Sequence, residues 1–77
     1  MSYQTGDVIE QCAFGGVLRF VRVEGREADV KNGRPGFFGK LCDKQGQEVG
    51  GDDPIGNGVW GYDSQVVRVM LRAGALA

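Results

Sequence analysis

The 77-residue chain contains no histidine, one threonine, two serines and two cysteines. Without histidine, neither a Ser-His-acid triad nor a Cys-His pair can be assembled within one chain, and the usual routes to an activated nucleophile are closed. Cys12 and Cys42 stand thirty positions apart with no imidazole between them, a pattern that builds no metal site, and no metal is expected. We expect both thiols to be reduced and packed as small hydrophobes. No apolar run approaches the roughly eighteen residues needed to cross a bilayer. The opening residues, Met1 through Asp7, lack the basic and then apolar regions of a signal peptide. The expectation is a cytoplasmic chain that does not enter a membrane. No glycine-rich segment is followed by Lys-Ser or Lys-Thr and a helix, so no phosphate loop and no cofactor are expected.

Glycine is the residue present in excess. Fourteen of 77 residues are glycine, about twice the usual share of roughly 7%. They punctuate short β-like runs, which is economical only if many tight turns join short strands. Apolar residues at 42% and charged residues at 25% are ordinary for a folded domain. At this length one hydrophobic core is all the chain can build, so a single domain is expected, with its core over about residues 6–71 and a frayed tail at 72–77.

The net charge of −1 hides an asymmetry. Residues 19–44 carry Arg19, Arg22, Arg26, Lys31, Arg34, Lys40 and Lys44 against Glu24, Glu27, Asp29 and Asp43, whereas residues 45–67 carry only acids.

Along the chain, Gly6-Asp7 before Val8-Ile9 marks the start of a first strand, which reaches Cys12 or Phe14 before Gly15-Gly16 bends it. Its inward face is ambiguous, because both parities mix apolar and polar residues. A second strand covers 17–24. Residues 24–27 read as a hairpin, and Ala28 and Val30 alternate with Asp29 and Lys31 in a short third strand. Asn32-Gly33 supplies positive φ at low steric cost, and Pro35 cannot donate to a ladder, so 31–36 reads as a turn or an irregular strand entry. Phe37 to Asp43 resumes a strand. Asp43-Lys44-Gln45-Gly46 has the pattern of a type I turn closed by a bulge, with Gln47-Glu48-Val49 returning. Residues 50–56 form the longest loop. The chain then closes with an aromatic strand over 59–62, a one-turn helix at 62–65, and a β-branched run in which Val67, Val69 and Leu71 alternate with Arg68, Met70 and Arg72. Five to seven short strands without a helical period predict an all-β fold, a five-stranded small barrel or roll with a short helical turn before the last strand.

Gly6-Asp7-Val8-Ile9 at the start, and Val59-Trp60-Gly61-Tyr62 running on to Val69 at the end, resemble an SH3-like small barrel. In that family a Gly-Asp opens the first strand and a helical turn separates the last two. The resemblance implies a fold rather than a function. In overall style the chain is also similar to small proteins of phages, actinobacteria and mobile gene cassettes. A further resemblance is to the plasmid-encoded, trimethoprim-resistant dihydrofolate reductases, SH3-like barrels that form a homotetramer around a pore lined by a Val-Gln-Ile-Tyr strand. Val59 and Tyr62 match that strand. Trp60 and Gly61 replace its two ligand-contacting residues, which speaks against an oligomeric reductase of that kind.

Trp60 and Tyr62 share the strand face opposite Val59, and Val59 has the better claim to the core. This predicts an aromatic face of Trp60 and Tyr62, with Phe38 and Arg34 beside it and the acidic Asp52 and Asp53 flanking it. SH3-like barrels use such faces to grip peptides, methylated amines or a partner barrel, so the expected role is a non-enzymatic binding or assembly module, with a protein or peptide partner or a second copy in a homodimer. Asp52-Asp53 lacks the alternating oxygen ligands of a calcium loop. The alternative is a nucleic-acid-binding barrel using Arg19, Arg22, Arg26, Lys31 and Lys40. Interspersed acids and the slightly negative net charge dilute that field.

Overall fold

The computed structural model describes residues 2–52 and 56–76. Five strands, β1 (Val8–Cys12), β2 (Leu18–Lys31), β3 (Arg34–Cys42), β4 (Gly58–Tyr62) and β5 (Val66–Leu71), make one antiparallel sheet in the order β4-β3-β2-β1-β5. Helical content is confined to 3-10 turns at Phe14–Gly16, Asp63–Gln65 and Ala73–Leu76. The fold is therefore all-β, five antiparallel strands in one sheet with a helical turn before the last strand, as anticipated. β2 organises it. Leu18–Arg22 pair with β1 while Phe20–Lys31 pair, with two register shifts, with β3, so one long strand joins both neighbours.

That continuity corrects the reading of residues 24–27. They form no hairpin, because β2 runs unbroken from Leu18 to Lys31, and the register to β3 shifts between Val23 and Gly25. A bulge rather than a turn follows because Gly25 still has a ladder partner, Phe38, whose ring occupies the space a side chain at 25 would need. The true hairpin lies at Asn32-Gly33. Both residues have positive φ, 58° and 73°, and Lys31 pairs with Arg34 across them. This is the geometry of a type I′ turn, whose twist matches the flanking strands. Asp29 steadies it by accepting the Gly33 N–H at 2.8 Å. Pro35 falls where β3 has slipped against β2 and before β4 pairing begins at Gly36, so its missing donor breaks no ladder bond.

The turn at 43–46 forms as expected. Gly46 N–H donates to the Asp43 carbonyl, and Asp43 Oδ1 accepts from the backbone of Gln45 and Gln47, both at 2.9 Å. The return segment at 47–49 is not a strand. It contributes one isolated bridge, Cys42 to Glu48.

The core consists of Tyr3, Ile9, Val21, Val23 and Phe37, with Val59, Val66 and Val69 against it. The ambiguity of β1 has a physical origin, since Val8, Ile9, Glu10 and Gln11 are all buried. A central strand covered on both faces shows no alternation. Ile9 faces the core, Val8 lies beneath Gly46, and Glu10 is closed over by Arg68 at 2.7 Å. Tyr3 extends the core beyond the predicted start. Its ring meets Phe37 edge-on at 5.8 Å, Arg26 stacks 4.2 Å above it, and its hydroxyl donates to Asp63. Ala73–Leu76, expected to fray, forms its turn with the Ala73 N–H on Asp7 Oδ1 at 2.8 Å. Among the described residues no helix is long and apolar enough to cross a membrane.

Candidate partner-binding face

Strand alternation sends Val59 and Gly61 toward the core side of β4 and Trp60 and Tyr62 to the other side, as the pairings Phe37 to Gly61 and Phe38 to Trp60 require. Two residues apart on one face, the two rings meet edge-on, with centroids 5.4 Å apart at 88°. The tip of the β1–β2 hairpin adds a third ring. Phe14 lies 6.0 Å from both, at 60° to Trp60 and 89° to Tyr62. The β2–β3 turn adds cations. Lys31 Nζ sits 5.4 Å from the Trp60 centroid and the Arg34 guanidinium 4.2 Å from that of Tyr62. Asn32 donates to the Tyr62 hydroxyl at 3.3 Å, and Arg34 donates to Ser64 Oγ at 3.1 Å. Three segments distant in sequence thus converge on one surface. Tyr62 is buried within it, Trp60 is half-buried, and Phe14 is 65% exposed.

Beneath the rings lies a buried polar network. Gln11, in β1, donates from Nε2 to Gln65 Oε1 at 2.8 Å and to the Trp60 carbonyl at 3.3 Å. Its Oε1 accepts from Arg19 Nε at 2.8 Å, and Arg19 Nη2 also reaches the Trp60 carbonyl at 3.2 Å. Gln65 Oε1 in turn accepts the Tyr62 N–H at 3.1 Å, fixing the 3-10 turn to the end of β4. Desolvation pulls the Arg19 pKa below the ordinary arginine value, a cost its hydrogen bonds offset. Gly61 is required here. A Cβ at that position would fall 2.1 Å from Gln11 Nε2 and 2.8 Å from both Gln65 Oε1 and Phe37 Cζ.

Of the residues singled out in the sequence, Trp60, Tyr62, Arg34 and Lys31 are brought together, with Arg19 below them. Phe38 pairs with Trp60 across β3–β4, yet its ring turns to cover Gly25 and lies outside the three-ring cluster. Asp52 is exposed and takes no part in the ring and cation contacts of the cluster. Asp53 lies outside the described residues. Arg26 is held by Asp63 at 3.2 Å. Arg22 and Lys40 pair across β2–β3, where with Glu24, Leu41, Cys42 and Glu48 they line a hollow of about 110 Å³ of mixed charge. The five cations of the nucleic-acid alternative are thus dispersed over separate surroundings.

Three residues of the site carried no recognisable signal in the sequence. Phe14, ahead of Gly15-Gly16, read as the end of a strand, and Gln11 and Gln65 read as ordinary polar positions. Nothing in the arrangement activates a nucleophile. Burial raises the Cys42 thiol pKa above its ordinary value, which leaves less thiolate at neutral pH. Among the described residues no group of three or more His, Cys, Asp or Glu could hold a metal ion. What the site offers is apolar ring surface on rigid support, with two cations at its edge. Compared with protein-family models, with curated proteins and with solved structures, the chain matches none.

Proposed function

We propose that this chain is a non-enzymatic binding or assembly module whose partner, a second copy of the chain included, docks on Phe14, Trp60 and Tyr62. Phe14 is the observation that supports it most directly. Its ring remains 65% exposed while packing on two others. Covering a phenylalanine side chain is worth about 1.5–3 kcal/mol, much of which stays unrealised until something docks. Val17 and Leu18, 57% and 61% exposed, continue apolar surface along the same hairpin. The network of Gln11, Gln65 and Arg19 holds the ring-bearing backbone still, so little ordering entropy opposes association. The alternative of nucleic-acid binding through residues 19–44 draws less support, because Arg26 is engaged by Asp63 and Arg22 and Lys40 sit among acids.

The test is Phe14→Ala, set beside wild type in selection from a displayed random-peptide library and in sedimentation over a hundredfold concentration range. The variant should keep its fold and lose either the selected peptides or a concentration-dependent self-association. If wild type selects nothing and stays monomeric, or if the variant retains every ligand, the reading fails.

A further inference from the structure

Resting on the docking reading above, we infer that the partner presents an acidic polypeptide segment, with an apolar or aromatic side chain laid against Phe14 and carboxylates reaching Lys31 and Arg34. The sign of the charge comes from ion pairing. Among the described residues the ion pairs are Arg26 with Asp63, Arg68 with Glu10 and Arg72 with Asp7, and neither Lys31 nor Arg34 takes part. Ten acids against nine bases left counterions available in the composition, yet among the described residues these two cations are in no ion pair. Asp29, the acid beside the turn, accepts the Gly33 N–H on Oδ1 and pairs with neither cation. Two positive charges therefore border the rings with no direct ion-pair partner among the described residues, and a carboxylate arriving there can pair with them without displacing one.

The rings argue the same way. The face of Tyr62 is covered by the Arg34 guanidinium at 4.2 Å, and that of Trp60 is approached by Lys31 at 5.4 Å. A methylated amine or a Lys- or Arg-rich peptide seeking a cation–π seat on Trp60 or Tyr62 would have to evict the chain's own cations, and on Phe14 it would sit beside them. Nucleic acid is disfavoured by geometry. Successive bases stack on open, roughly parallel ring faces. Here Tyr62 stands nearly perpendicular to both Trp60 and Phe14, is itself only 6% exposed, and leaves Phe14 as the one freely open ring of the three. One ring seats one side chain. Asn32 and Ser64, already oriented by Tyr62 and Arg34, border the same edge.

The experiment uses the intact chain and four immobilised probes: decapeptide pools of random Asp/Glu with Phe/Leu/Trp, of random Lys/Arg with the same apolar set, of uncharged polar residues with that set, and a dT12 oligonucleotide. Wild type, Phe14→Ala and the double variant Lys31→Glu/Arg34→Glu are compared, with far-UV circular dichroism and thermal melts checking the fold. Should the double variant melt early, Lys31→Gln/Arg34→Gln replaces it. The expected result is capture by the acidic pool alone. Phe14→Ala should abolish it, charge reversal should weaken it by roughly tenfold or more, and it should decline as salt rises from about 0.05 to 0.5 M. Phe14-dependent capture by the cationic or neutral pool, or self-association that survives charge reversal, would overturn this inference while leaving the docking reading in place. Oligonucleotide capture lost in both variants would reassign the partner to nucleic acid. If no probe is captured through Phe14 and the chain stays monomeric, both readings are overturned.

Discussion

Replacing Gln11 by Leu tests whether the buried network, rather than apolar packing alone, holds the candidate site. Gln11 is 1% exposed and makes three hydrogen bonds. In Gln11→Leu the Trp60 carbonyl keeps its bond from Arg19 Nη2 and Gln65 Oε1 keeps the Tyr62 N–H, so each loses one of two partners, at about 0.5–1 kcal/mol apiece. Arg19 Nε, a charged donor on a half-buried side chain, loses its acceptor, at about 1.5–3 kcal/mol. Leucine returns about 1 kcal/mol through better burial of its methyl groups. The expected net loss is about 1.5–4 kcal/mol, or roughly 6–30 °C in melting temperature for a domain of this size. Urea unfolding followed by Trp60 emission measures it, and a double-mutant cycle with Gln65→Leu should show positive coupling, because the two glutamines share one bond. A loss below about 0.5 kcal/mol would refute the reasoning, since it would mean that solvent or side-chain rearrangement satisfies Arg19 at no cost.

Gly61→Ala places a methyl group against Gln11, Gln65 and Phe37 at once and should destabilise by about 3 kcal/mol in the same urea assay, as overpacking of a buried site does. Phe14→Ala removes a mostly exposed ring and should cost no more than about 1 kcal/mol, while shifting Trp60 emission to the red and raising its acrylamide quenching; unchanged emission would mean that Phe14 does not cover Trp60 in solution. Burial, reinforced by the Asp63 carboxylate, raises the Tyr3 pKa far above the ordinary value of about 10. The unfolded chain then loses this proton first, so the stability linked to Tyr3 is fully present below about pH 10 and is lost as pH rises beyond it. Tyrosinate absorbance at 295 nm in wild type and Tyr3→Phe should show Tyr3 ionising only as the protein unfolds; titration of native Tyr3 near pH 10 would refute its buried placement.

Period-two alternation and turn chemistry act over two to four residues, and what depends on them was readable directly. Asn32-Gly33 had to turn because both residues tolerate positive φ, and the break at 63–65 had to separate two β-branched or aromatic runs. The common face of Trp60 and Tyr62 followed from their spacing alone. The continuity of β2 did not, since glycine serves a bulge and a hairpin equally well. Only the presence of Phe38 across the ladder decides which forms. The two-sided burial of β1 was equally hidden, because alternation disappears when both faces are covered. Phe14 shows the same division most clearly. Its residue type marked it as apolar, but its position against Trp60 and Tyr62, 46 and 48 residues later, depends on how far β2 bends and on the order of the strands. The sequence by itself determined the all-β class, the turns at 32–33 and 43–46, the break at 63–65 and the side that Trp60 and Tyr62 share. The tertiary structure decided which loops meet, and with them whether three rings and two cations become one surface, because that depends on non-local registers that no short pattern encodes.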